Sequence, residues 1–198
     1  MGQDIAISGT GIAGLAAATA VIAADRDCVL FGPPAQKMRG GVQLAPNGWA
    51  ALSVLGLAQD VLSLATRLHE ITVRSLTNSA TLTRLPLKDV YASVARADLA
   101  TVFEQKIVQT DRVRRHNTTV EQASQTEDGV AIIGKDTGLN HVAGLVAADG
   151  VAGFGRAFIS GQSETAKRAS LATDKVALRS NLNLSDLPNF FSQAISNL

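Results

Sequence analysis

Apolar and polar positions along this chain repeat with two different periods, and the changes of period mark its elements. Residues 4–8, DIAIS, read as a short apolar strand, and the alanine-rich run from Ile12 to Ala24 has the length and hydrophobicity of a helix. Gly9, Gly11 and Gly14 lie between and just inside them. A polar turn, Asp25 to Asp27, precedes a second apolar strand, CVLF at 28–31, which Gly32, Pro33 and Pro34 end abruptly. A glycine-rich loop then leads into an extended piece, VQLAP, and a helix expected to be capped by Asn47, closed by Gly56 and anchored through Trp49 and Leu52. From Ile71 the sequence ITVRSLTNSATLTRLPL alternates around a turn at Thr77 to Ser79, which predicts an antiparallel hairpin with partner strands later in the chain. A helix beginning near Ala97 or Asp98 turns Leu99, Val102, Phe103 and Ile107 to one face. Short strands follow within 113–134, then a turn at Asp136 to Gly138 and a strand, GLVA, expected to be buried. Strand, helix and strand in that order predict an α/β fold with a parallel sheet.

Composition narrows the partners. The 198 residues are 46% hydrophobic and 18% charged, which suits one globular domain and part of another. A net charge of +1 and an aromatic content of 4% give neither a long-range field nor stacking platforms, so nucleic acid and anionic membrane are disfavoured and a small molecule is expected. The single cysteine, Cys28, excludes an internal disulfide framework and a cysteine-based zinc cluster, and fits a reducing cytoplasm. The apolar stretch after Ile12 is too short to span a bilayer, and no Lys or Arg precedes it. Ala6 breaks the myristoylation pattern. His69, His116 and His141 stand apart from any spacing that builds a triad or a metal site, so no metal is expected and no catalytic residue is assigned.

The first turn carries the most specific chemistry. In GTGIAG, Gly9 suits a tight turn off the strand, Gly11 lacks a Cβ that would hold the backbone away from a pyrophosphate, and Gly14 lets the helix pack closely on the strand. The unpaired amides of the helix start, with its positive dipole end, bind an anion through backbone alone. Gly9, Gly11, Ile12, Ala13 and Gly14 are therefore the candidate dinucleotide-binding turn. One feature departs from that pattern. The tip of the second strand commonly carries Asp or Glu for the adenosine ribose, but here it is Phe31 and Gly32, with no acid until Asp60. The ribose is left to backbone groups, water or Gln36, which argues against a standard NAD dehydrogenase.

Three separated segments, GTGIAG at 9–14, SVARADL at 93–99 and AADGVAGFGR at 147–156, together resemble the flavin-dependent aromatic hydroxylases, single-component FAD monooxygenases of the p-hydroxybenzoate and salicylate hydroxylase kind. The intervening GGVQLAPNGWAALSVLGL is most similar to the salicylate hydroxylase branch. The resemblance implies a Rossmann-like FAD-binding domain, a parallel sheet with a small antiparallel β-meander, plus the start of an antiparallel substrate-domain sheet. It divides the chain into FAD-binding segments at 1–72 and 93–157, a substrate-domain hairpin at 73–92, and an incomplete substrate domain from 158 to 198. It implies that Asp149, Gly150 and Arg156 form a turn serving FAD and the nicotinamide coenzyme, and that Arg96 contacts the ribityl and phosphate region of the flavin. Arg39 and Gln43 are weaker candidates in a loop beside the cofactor. Seen alone, Asp-Gly after an apolar strand is a common turn, and Arg96 is equally a surface arginine paired with Asp98 or Glu104. Gly153 stands where relatives have Ser, which predicts a looser turn.

The resemblance also implies hydroxylation of a phenolic acid with NAD(P)H and O2, the oxygen chemistry belonging to the flavin. Relatives are about twice as long and carry a third, Gly-Asp motif that this chain lacks, so the chain resembles their N-terminal half and is expected to be a fragment. An open sheet edge predicts weak FAD affinity unless a complementary C-terminal chain or a second copy completes the fold. Other readings remain: a catalytically inactive nucleotide-binding remnant, half of a split enzyme, a ubiquinone-biosynthesis-type hydroxylase, or an NAD(P)-dependent reductase.

Overall fold

In the computed structural model, residues 4–34, 38–151, 153–161 and 184–186 are described. The elements run β1 (Ile5–Ser8), α1 (Ile12–Ala23), β2 (Cys28–Phe31), β3 (Gly41–Leu44), α2 (Pro46–Val54), α3 (Ala58–Leu64), β4 (Thr66–Arg67), β5 (Glu70–Arg74), β6 (Thr81–Pro86) and β7 (Ala92–Ala95). They continue with α4 (Arg96–Val108), β8 (Val113–His116), β9 (Val120–Thr126), β10 (Gly129–Gly134), β11 (Leu139–Val142), β12 (Gly144–Ala147) and α5 (Phe154–Ser160). The chain divides into two compact units, Met1–Met38 with Ala100–Val176, and Arg39–Leu99 with Ala177–Leu198. This division cuts the chain at other points than the domain boundaries expected from the resemblance.

The first unit is built on a four-stranded parallel sheet of order β12-β1-β2-β8. Strand alternation sorts its side chains to two faces. Ala6, Val29 and Phe31 face the antiparallel meander β11-β10-β9, and with Val120, Ile132 and Val142 they form one buried core. Ile7, Cys28 and Leu30, also buried, belong to the opposite face, and α1 packs against β1, β2 and β12 through Gly14, Leu15, Ala18 and Thr19. Burial pushes the Cys28 thiol up to about 11, with the Asp27 and Asp4 charges adding to the effect. The sheet-and-meander architecture agrees with the expected fold class. The expectation of a buried GLVA strand does not hold: β12 is an edge strand among the described residues, with β1 on one side, and Val146 is exposed.

The second unit carries an antiparallel sheet of order β3-β7-β4 and the separate hairpin β5-β6. Helix α2 starts two residues earlier than expected, with Pro46 at its first turn and Ala45 as N-cap, so Asn47 caps nothing. Proline is preorganised for that position and lacks the amide that would otherwise go unpaired there. Gly56, at φ +70°, follows the end of the helix as expected, and Trp49 and Leu52 are buried. Trp49 Nε1 donates to the Leu44 carbonyl at 3.0 Å, tying α2 to the strand before it. In the hairpin, Ile71 pairs with Leu85 and Val73 with Thr83, while Glu70, Thr72 and Arg84 fall on the other face. The expected partner strands of this hairpin lie outside the described residues.

Candidate functional site

The glycine turn is held by its neighbours on both sides. Gly9 donates its amide to the Phe31 carbonyl at 2.7 Å, and the Ala148 amide donates to the Ser8 carbonyl at 2.7 Å, so the ends of β1, β2 and β12 are fixed together. Gly9 takes φ +113°, and a Cβ on it would lie 2.2 Å from the Ala148 carbonyl oxygen. A Cβ on Gly14 would lie 1.8 Å from the Gly9 carbonyl oxygen. Both glycines are therefore required by the chain's own packing. Gly11 is different. Its backbone is extended, and a Cβ on it would meet nothing within 4 Å.

That open side faces a cleft of about 380 Å³ lined by Gly9, Thr10, Gly11, Phe31, Thr119 and Asp149 among others. Helix α1 begins there with Gly11 as N-cap, no side-chain cap and no acid in its first turn. The amides of Ile12, Ala13 and Gly14 form that first turn and, with the helix dipole, favour an anion at this end. Asp149, at the end of β12, accepts hydrogen bonds from the Ser8 hydroxyl at 3.1 Å and the Gly155 amide at 3.0 Å. Its carboxylate thus fixes the turn and satisfies an early amide of α5. Gly150 has φ +86° with open space beside it. Gly153 does not loosen this turn: a Cβ there would lie 2.2 Å from the Asp149 carboxylate, so the missing side chain makes room for that group. Arg156 is exposed on α5.

Arg39 and Arg96 belong to the second unit, where β3 and β7 pair antiparallel with Gly41 opposite Ala95. The Arg96 amide donates to the Gly40 carbonyl at 2.9 Å, so the two arginines come together at one end of this pair. The alternative of a pair with Glu104 is not realised. Glu104 accepts from both terminal nitrogens of Arg115, and Arg96 is in no ion pair among the described residues. Gln43 is exposed on β3, and Gln36 lies outside the described residues. His69 and His141 are exposed, His116 stacks on Phe31 at 5.1 Å, and no metal-binding cluster occurs among the described residues.

Sequence reasoning missed Ser8, Thr10, Pro33 and Thr119 as cleft residues. Ser8 gave a signal, a buried polar residue closing an apolar strand; Thr119 gave none. A second concavity, of about 450 Å³, is lined by Asp4, Asp25, Arg26, Asp27, Asp111 and Arg112. It lies where β1, β2 and β8 begin, the end of a parallel sheet away from ligands, and Arg112 pairs there with Asp25 and Asp27.

No family model matches the chain. It is 31% identical over 157 residues to a 3-amino-4-hydroxybenzoate 2-monooxygenase of Streptomyces platensis, covering 74% of this chain and 39% of that protein. A second such enzyme, from Streptomyces cremeus, is 34% identical over 105 residues, 48% of this chain and 27% of that protein. Over that stretch the chain is similar to aromatic-acid monooxygenases. It spans about two fifths of the length of the curated hydroxylases it matches. Solved structures share the hydroxylase fold. PqsL of Pseudomonas aeruginosa superposes with a TM-score of 0.71 at 20% identity, over 82% of this chain and 46% of that one. HpxO of Klebsiella pneumoniae, solved in complex with FAD, gives 0.68 at 23% identity, over 81% and 43%. The dinucleotide turn of this chain fits FAD on its own geometry, because Gly11 and Gly150 leave open backbone beside an uncapped helix start.

Proposed function

We propose that this chain forms the FAD-binding part of a monooxygenase that hydroxylates an aromatic acid, using NADH or NADPH and O2. The observation that carries the reading is Gly11, which faces the cleft at the start of α1 and whose missing side chain answers to no contact among the described residues. Relatives named as 3-amino-4-hydroxybenzoate monooxygenases support a small aromatic carboxylate as the substrate class. FAD supplies the redox and oxygen chemistry when bound. The chain's own residues hold it: the first-turn amides of Ile12, Ala13 and Gly14 bind the pyrophosphate, and Gly9, Gly11 and Gly150 let backbone approach it. Asp149 keeps the turn in shape, while Arg39 and Arg96 bind phosphate or ribityl oxygens through their fork of donors. Arg156 adds positive charge beside the Asp149 turn. In this reading residues 73–92 belong to the substrate-facing part, the protein works in the cytoplasm, and a complementary chain or a second copy supplies the rest of the substrate pocket.

Titration of the purified chain with FAD, followed by flavin fluorescence, tests the reading directly. Saturable binding is expected, with bleaching of the flavin's visible absorption once NADH or NADPH is added. Gly11→Val should abolish binding while circular dichroism stays unchanged, since its side chain projects into the cleft rather than into the protein. A folded chain that binds no FAD, or a Gly11→Val variant with full affinity, refutes the proposal.

A further inference from the structure

The cleft carries no carboxylate where an adenosine ribose commonly finds one, at the tip of the second strand. Gly32 cannot simply supply it. Gly32 has φ +151°, and a Cβ there would lie 2.8 Å from Thr10 Cγ2 and 3.2 Å from the Thr10 amide nitrogen. The one carboxylate lining the cleft, Asp149, is committed to Ser8 and Gly155. Three hydroxyl-bearing residues, Ser8, Thr10 and Thr119, line the same cleft as Phe31 and Pro33, and the Ser8 hydroxyl is committed to Asp149. Thr10 donates to the Pro33 carbonyl at 2.7 Å, which leaves its oxygen lone pairs available to accept. The Thr119 side chain is exposed and makes no hydrogen bond among the described residues, while its backbone is fixed by the Lys135 amide, which donates to its carbonyl at 3.0 Å.

We infer that Thr119, assisted by Thr10, is the ribose-holding residue of this cleft and stands in for the absent carboxylate. The inference rests on the reading of the cleft as a dinucleotide site. A ribose diol both donates and accepts, and a threonine hydroxyl answers both roles, whereas a carboxylate only accepts. The ribose end of the cleft is then neutral, and its grip on the sugar does not depend on ionising an acid.

The test compares ADP with 2′,3′-dideoxy-ADP by calorimetry on the full chain, beside FAD titrations. Removing both ribose hydroxyls should weaken binding to the unaltered chain about fivefold to tenfold, the worth of a single net hydrogen bond. Thr119→Val should bind ADP more weakly by the same factor and no longer distinguish the two nucleotides. Gly32→Glu should not tighten FAD binding, because its side chain meets strained backbone and Thr10. A Thr119→Val variant that still discriminates, or a Gly32→Glu variant that binds FAD more tightly, overturns the ribose assignment alone. An unaltered chain that binds neither FAD nor ADP overturns the dinucleotide reading beneath it.

Discussion

Gly11 and Gly14 should separate when each is replaced by alanine. At Gly14 the new methyl would stand 1.8 Å from the Gly9 carbonyl oxygen, a backbone atom that cannot swing aside. Forcing helix and turn apart costs about 3 kcal/mol at the upper end of overpacking, and alanine's helix propensity returns up to about 1 kcal/mol. The net loss of about 2 kcal/mol corresponds to a fall in Tm of roughly 4–8 °C for a chain of this size. At Gly11 the backbone is extended, φ −73° and ψ 179°, and the methyl meets nothing within 4 Å. Only the N-cap preference is lost, about 0.5 kcal/mol. FAD affinity should fall in both variants, but stability should fall several times more in Gly14→Ala. Thermal melts of the ligand-free proteins, paired with flavin titrations, read both quantities. Equal destabilisation by the two substitutions would refute the distinction between packing and ligand-facing glycines.

Other expectations test the surroundings of the site. Asp149→Ala should cost about 2–4 kcal/mol in urea unfolding, because the Ser8 hydroxyl and Gly155 amide both lose a charged acceptor; Asp149→Asn should keep part of this. Cys28 should resist alkylation at pH 8 in the folded chain and react once urea unfolds it. The folded chain holds the thiol proton more tightly than the unfolded one, so its contribution to stability is complete below about pH 9 and lost as pH rises to about 11, a loss absent from Cys28→Ala. Arg112→Ala should change stability by less than about 1 kcal/mol and lose even that in high salt, since its partners Asp25 and Asp27 are exposed.

The opening of the fold was legible because its local signals and its tertiary role agree. The apolar runs of β1 and β2, the glycines and the alanine-rich α1 fall within a residue of their expected limits. The hairpin β5-β6 was legible for the same reason, its alternation bracketing a turn where Ser79 takes φ +58°. Helix α3 passed unnoticed, being seven residues long with no side-chain cap, and its one fully buried residue is Val61. The site was legible where backbone makes it and illegible where it is assembled at a distance. Asp149 could be singled out from its motif, but its role as a brace needs Ser8, 141 residues away. Thr119 enters the cleft only because β8 and β9 deliver it there. The pairing of the Arg39–Gly40 loop with Arg96 likewise depends on the register of β3 against β7, which no local pattern encodes.

The brace between Ser8 and Asp149 also sets a timetable for synthesis. β1 can pair with β2 as soon as Phe31 has been made, since Ile5 opposes Cys28, but its other neighbour β12 begins only at Gly144. Until Ala148 and Asp149 are made, the Ser8 carbonyl lacks its partner amide and the cleft lacks one wall. At about 5–20 residues per second, the ribosome leaves that wall open for on the order of ten seconds. Throughout that interval β1 exposes a free edge to any other nascent strand, so a strand made well before its partner is among the last to be secured.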